Sequence, residues 1–437
     1  MSRIRNVLCG VLAVVVAWSM TGIARAATSD TIPPGTTINM SNWQKYKQFM
    51  PDGMQVLFEG QHHWKMPADV EMDVGPTVIY KLPKPFESAV EKYGHQTKLV
   101  KQPDGEYKLE NYVAGVPFPN PAGPNKGTEI AADVTYRPGG MLYVGMPNSG
   151  VVSSFCGVDR FGNQSCERVD YVYRQLAYNW FPGVPHANPQ AAGAWYTEWL
   201  MVEAPQESKY TADLTIYWQN NLQLEANYVF VPSLRRTLRL SASARCAPLF
   251  GSDMTHDDQR VGWNGGVGMF HGTFLRNQNI LALIDLTTAD GAFPQNYDMP
   301  LGWAKPSWGK WEVIPVWVTD VQRIPSMAKG YCYGKRIMYT SRNYYANVHE
   351  DLYDTNDKLW KVVNIGLRPR TDHEHPEWGK QYFGGGIIEQ YWDVQNAHAS
   401  QVFTAFDGKD LWADHYSPQY NNVSRYSTPG GLMQIMK

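Results

Sequence analysis

Cysteine is scarce in this 437-residue chain, and none of the five stands in a C-x-x-C pair. Structural zinc sites are built from such closely spaced thiolates, so a zinc scaffold is not expected. The familiar catalytic signatures are missing as well. No G-x-S-x-G occurs, which removes the nucleophile elbow. No H-E-x-x-H, no P-loop and no G-x-G-x-x-G behind a strand is present, so the common metalloprotease and nucleotide devices have no foothold. The formal charge is −2. A phosphate backbone requires a concentrated cationic surface, so nucleic acid is not an expected partner. Beyond the N-terminus no apolar run is long enough to span a bilayer as a helix. There is no fixed-period repeat and no low-complexity block.

What is present begins with an export signal. Arg3 and Arg5 precede the apolar run Val7 to Met20, and Ala24-Arg25-Ala26 fits the small-x-small cleavage rule. Cys9 lies inside the apolar run without a lipobox before it. Cleavage after Ala26 is expected, with residues 1–26 as signal peptide and 27–437 as one exported domain. Losing three arginines moves the charge of the exported chain from −2 to −5. Four cysteines survive: Cys156, Cys166, Cys246 and Cys332. An even number in an exported chain suggests disulfides. Four cysteines allow three pairings. Cys156 and Cys166 bracket "GVDRFGNQS", whose Gly and Asn turn the chain back, so these two are paired locally and Cys246 falls to Cys332.

Residues 27–130 read as a helical and loop segment. "SNWQKYKQFMPDGMQVLFEG" has Ser41 as an N-cap and helical spacing through Trp43, Tyr46 and Met50, with Pro51 and Gly53 as interruptions. In "KLPKPFESAVEKYGHQTKLV" Phe86, Val90 and Tyr93 share one helical face. Ala114 to Gly127, "AGVPFPNPAGPNKG", is a rigid loop. From about 131 to 437 the pattern has period two. "VDYVYRQLAYNWF", "YTEWLMVEAP", "ADLTIYWQN", "WEVIPVWVTDVQRI", "GYCYGKRIMYTSR", "LWKVVNIGL", "GGIIEQYWDVQN" and "HASQVFTAFDG" are short, aromatic or β-branched, and bounded by turn residues. Many meandering strands with short links predict a mainly β, α+β fold with one large antiparallel sheet.

Candidate chemistry is sparse. "TDHEHPEW" sets His373 and His375 two apart, on one side of an extended segment where both imidazoles reach one metal ion; the alternative is a solvated loop. His256, Asp257 and Asp258 in "HDDQRVGWNGG" match no calcium-loop pattern. The sixteen tryptophans serve a stacking groove, an apolar cavity or an ordinary core. In "YVFVPSLRRTLRLSASARC" Leu234, Arg236, Leu238 and Leu240 share one parity, and Arg235 and Arg239 the other. Alternation turns the leucines to the core and Arg235 and Arg239 to water, and leaves Arg236 as the residue that breaks the pattern, at a strand start or bulge or facing an acidic partner.

Several stretches, "LENYVAGVPFPNP", "YVFVPSLRRTLRLSAS", "WEVIPVWVTDVQRI" and "YGKRIMYTSRNYYANVHEDLYDTNDKLWKVVNI", in this order and spacing, resemble the domain-of-unknown-function family 1329. Its members are exported proteins grouped with outer-membrane lipoprotein-sorting proteins of the LolA/LolB kind. The resemblance covers nearly all of the exported chain and implies a strongly curved antiparallel sheet, an unclosed barrel with helices packed on its concave side. It also implies a periplasmic, non-enzymatic carrier or accessory protein for a lipid, lipoprotein or sterol-like molecule, with an RND-type exporter and an outer-membrane β-barrel protein as partners. It supplies no catalytic residue and no cofactor, and the cysteines are not part of its general pattern. An apolar ligand in water needs its tail hidden, at about 0.8 kcal/mol per methylene. Leu214, Ile216 and Trp218 share one strand face, Tyr228 and Phe230 another, and Val313 and Trp317 a third; these seven are the expected cavity lining. The rival functions are an exported metal-dependent enzyme using His373 and His375, and a protein adaptor between exporter and outer-membrane partner.

Overall fold

A computed structural model describes residues 30–137, 149–181, 183–241, 245–260, 262–286, 293–367, 369–371, 376–382, 386–404, 420 and 422–436. The signal-peptide reading and the His373, Glu374 and His375 cluster lie outside them. Thirteen strands form the main sheet. They are β1 (Ser149–Val158), β2 (Gln164–Gln175), β3 (Ala194–Ala204), β4 (Ala212–Trp218), β5 (Ala226–Val231), β6 (Arg236–Leu240), β7 (Phe270–Leu286), β8 (Gly309–Arg323), β9 (Lys335–Ser341), β10 (Asn347–Tyr353), β11 (Leu359–Leu367), β12 (Gly386–Asp393) and β13 (His398–Thr404). Their order is β6-β5-β4-β3-β2-β1-β13-β12-β11-β10-β9-β8-β7, and every pairing is antiparallel. Two up-and-down meanders, β1–β6 and β7–β13, are thus joined where β13 meets β1. The edges β6 and β7 do not pair with each other, so the barrel is unclosed.

The sequence explains the strands. In β8, Ile314, Val316 and Val318 alternate with Val313 and Trp317 across its two faces. Pro315 is tolerated because the ladder with β9 begins only at Val316, so the missing N–H has no partner to lose. Cys156 and Cys166 sit directly opposite each other in the β1–β2 ladder and are bonded, and Cys246 is bonded to Cys332. Both pairings are those expected from the sequence.

Curvature follows from one segment. Asn264 donates to the Tyr217 hydroxyl of β4, while Asp258, six residues earlier, accepts from Arg336 of β9. Those strands are eight positions apart, about 38 Å on a flat sheet, and six residues span at most about 21 Å. So short a span between strands so far apart is reached most readily when the sheet bends around Asp258 and Asn264. On this concave face lies α3 (Lys126–Tyr136), where Ala131, Val134 and Tyr136 join Tyr171, Tyr173, Val363, Ile365 and Tyr391 in one core. The first turn of α3 touches β7 backbone to backbone: a Cβ on Gly127 would stand 2.4 Å from the Gly272 carbonyl oxygen, and one on Gly272 equally close to that of Gly127. Phe86 of α2 (Lys84–Tyr93) joins the same core.

The helices are not all inside, as the resemblance implied. α1 (Asp52–Glu59) packs on the convex face with the segment around Trp43, Trp64 and Met72, against Trp311, Val362 and Trp392. Farther along that face α4 (Val423–Tyr426) and α5 (Pro429–Leu432) cover Trp199, Leu214 and Phe230. Pro51 opens α1 rather than ending a helix, and a seven-residue 3-10 turn, Trp43–Phe49, precedes it with Asn42, not Ser41, at its start. The loop expected up to Gly127 gives way to α3 at Lys126, and among the described residues the main sheet starts at Ser149. Residues Ile32–Lys437 form one compact unit.

β6 is an edge strand, which changes the reading of its leucines. Leu234 is 54% and Leu238 37% exposed, so neither reaches a core. Arg236 opens β6, directly opposite Val231, and Arg235 precedes it in a left-handed turn with φ 48°.

Candidate functional site

On the concave face the far ends of β3 and β4 bring Trp195 and Tyr196 against Tyr217 and Trp218. Tyr196 and Tyr217 stack with ring centroids 4.2 Å apart, and Tyr136 from α3 stacks on Trp195 at 4.5 Å. Offset aromatic pairs of this kind contribute about 0.5–1.5 kcal/mol each beyond their buried area. Between these walls and residues 264–269 lies a largely apolar cavity of about 480 Å³, mouth included, with Asn221, Gln223 and Glu225 at its polar side. The indole N–H groups of Trp195 and Trp218 are buried and have no acceptor.

The walls are held from behind. Arg260 lies 4.7 Å above the Tyr196 ring, donates to the Tyr196 hydroxyl at 3.0 Å and to the Thr135 carbonyl at 2.7 Å. Tyr171 and Tyr217 both donate to Glu198, at 2.7 and 3.0 Å. Burial pushes the Glu198 carboxyl up, and Arg260 and the two tyrosines offset only part of this.

A second, polar pocket of about 270 Å³ adjoins the first, sharing Tyr217 and Glu225. Thr215, Asn227, His256 and Arg245 surround it beneath Leu240. Asn227 donates to His256 Nε2 at 3.1 Å, and Asp213 stands 4.0 Å from the same ring. Glu225 is desolvated, but Arg245 at 2.7 Å outweighs burial and holds it below the usual carboxylate range.

Deeper, Asp257 and Asp258 anchor a buried ionic network. Thr255 caps their turn, its hydroxyl and N–H both meeting Asp258. Asp257 binds Arg245 and accepts from Tyr331; Asp258 binds Arg336 and accepts from Tyr333 at 2.8 Å. Arg336 also grips Glu350, whose carboxyl burial nonetheless pushes up to about 7. This is a structural keystone: each carboxylate is met by a cation, so none is left to act as a free base. Among the described residues no His, Cys, Asp and Glu group has the arrangement of a metal site.

Of the seven residues expected to line a cavity, only Trp218 does so here. Leu214, Ile216 and Phe230 belong to the convex cluster with Tyr426 and Leu432, and Tyr228 packs against it. Val313 packs with the N-terminal segment, and Trp317 lies 6.3 Å from Tyr345 under Arg342. The chamber uses Tyr217, from the other parity of β4, together with Trp195 and Tyr196 of β3, and Thr215 of that parity lines the polar pocket. Their sequence signal was paired aromatics at the facing ends of two successive strands.

The family model described as "Protein of unknown function (DUF1329)" matches residues 37–420. No curated protein matches the chain. Among solved structures, a putative outer membrane lipoprotein-sorting protein domain from Vibrio parahaemolyticus is similar at 12% identity and TM-score 0.44, over 68% of this chain and 99% of that one. A DUF1329 family protein from Desulfovibrio piger gives 12% and 0.42, over 64% and 92%. A LolA superfamily protein from Nitrosomonas europaea gives 11% and 0.37, over 66% and 90%. The family match spans most of the chain, and the protein belongs to the DUF1329 family.

Proposed function

We propose that the protein is a periplasmic, non-enzymatic carrier or accessory protein that holds a hydrophobic or amphiphilic molecule in the aromatic chamber. The observation that carries this reading is the chamber itself: about 480 Å³ walled by Tyr136, Trp195, Tyr196, Tyr217 and Trp218, with two unpartnered indole donors and a polar pocket at its side. Burying a tail there yields about 0.8 kcal/mol per methylene, and the polar neighbour receives the head. Lipid, lipoprotein and sterol-like cargo all meet this description. The export signal expected from the sequence supports a site of action where such cargo crosses water, and an RND-type exporter and an outer-membrane β-barrel protein are the partners proposed for it.

The test is extraction of the protein purified from periplasm, with lipid mass spectrometry of the extract and titration with a fluorescent fatty acid. Co-purifying lipid, and fluorescence binding lost in Trp195→Ala, are expected. No bound lipid together with no fatty-acid binding would sink the proposal.

A further inference from the structure

Three consecutive hairpins, β1–β2, β3–β4 and β5–β6, turn at the same end of the sheet. Each tip sets a cation beside an apolar or aromatic side chain: Arg160 beside Phe161, Lys209 beside Tyr210, and Arg235 beside Leu234. Phe161 is 82% exposed and Leu234 54%. The first tip is a pre-ordered mount. The Asp159 carboxylate accepts from the Phe161 and Asn163 backbone N–H groups, at 2.8 and 2.9 Å, and from the Asn163 amide at 2.8 Å, and the Cys156–Cys166 bridge ties the strands just behind it. Holding Phe161 in water on so fixed a frame has no folding benefit. Arg236 adds a fourth cation, against three carboxylates: Asp159, already engaged in its own loop, Glu207, and Glu167, which bonds Ser208 of the second tip. The rim is therefore positive on a chain whose formal charge is negative.

The spacing distinguishes two kinds of partner. The tips lie two strands apart, about 10 Å from one to the next and about 19 Å across the set. A protein partner is recognised through one contiguous desolvated centre. A bilayer instead accepts side chains one at a time, each entering the interface separately while neighbouring cations meet anionic headgroups. We propose that this rim docks on an anionic lipid surface, with Phe161 and Leu234 entering the headgroup region and Arg160, Lys209, Arg235 and Arg236 pairing with lipid phosphate. The aromatic chamber sits at the opposite ends of β3 and β4, so docking is independent of whether a ligand is carried.

The test is flotation of the full exported chain with vesicles of phosphatidylcholine alone and of phosphatidylcholine with phosphatidylglycerol, at low and high salt. Binding to the anionic vesicles at low salt, and its loss at high salt, is expected. Arg160→Gln and Arg235→Gln each weaken it about fivefold, the effect of one surface cation. Arg342→Gln, in the β9–β10 turn at the other end of the sheet, leaves it unchanged. Phe161→Trp gives a blue-shifted emission on the anionic vesicles, and Phe161→Ser lowers binding with the fold intact by circular dichroism. No binding to either vesicle, equal binding to both, or binding indifferent to Arg160→Gln and Arg235→Gln overturns the proposal. Capture by a protein partner without vesicle binding overturns it too.

Discussion

Replacing Cys246 and Cys332 by serine should destabilise the protein more than replacing Cys156 and Cys166. The first bridge spans 86 residues and the second 10. In the chain-entropy model, freeing a loop of the first size costs about 4.6 kcal/mol and of the second about 2.7 kcal/mol. Structure widens the gap. Cys332 lies between Tyr331 and Tyr333, the two donors to Asp257 and Asp258, so the long bridge pins the segment that covers the buried carboxylates. Cys156 and Cys166 face each other in a ladder of ten residue pairs that holds its register without them. A difference of about 2 kcal/mol, some thirtyfold in the folding equilibrium, is therefore expected. Urea unfolding of the oxidised parent and the two double variants, followed by tryptophan emission, measures it. Equal losses, or a larger loss for the hairpin bridge, would refute the argument that the long loop and its tyrosines dominate.

Three further outcomes follow from buried groups. Burial pushes the Glu389 carboxyl from its ordinary 4.5 up to about 8, the bond donated by Tyr391 offsetting only part. The folded chain then keeps a proton that the unfolded chain releases, so stability is full below about pH 4.5 and falls as pH rises towards 8, by about 1.4 kcal/mol per unit; Glu389→Gln should flatten a denaturation series over that window. Arg336→Leu strands Asp258 and Glu350 without their cation and should cost about 3–5 kcal/mol in denaturant unfolding. Gly53→Ala places a Cβ 2.0 Å from Asp351 Oδ1 and should cost about 1–3 kcal/mol, read as a lower melting temperature.

Alternation made the large strands legible. β8 carries Ile314, Val316 and Val318 at period two, and the cysteine spacing was enough to pair the bridges. Alternation failed where both faces are buried. In β10, "NVHEDLY", Glu350 meets Arg336 on one face and His349 meets Asp351 on the other. A charged heptapeptide thus became a core strand. α3 escaped for the same reason: Thr128, Asp133 and Thr135 are buried together with Ile130 and Val134, so no polar face marks a helical period. The chamber was sought on the apolar parity of β4. α4 and α5 occupy that face, whereas the chamber takes Tyr217 and the adjoining polar pocket Thr215, whose oxygen atoms find partners inside. Arg236 was the unexplained residue of its strand because nothing in the pattern said that the strand was an edge.

Asp258 and Asn264, bonded to β9 and β4, mark the two ends of a chord drawn across the arc of the sheet. In such an arrangement the radius is set by the length of the chord rather than by strand twist alone. One residue added between Asp258 and Asn264 would lengthen it by up to about 3.5 Å and relax the whole arc, including the walls between Tyr196 and Tyr217. The curvature of the sheet is therefore tied to a short segment that lies outside its strands.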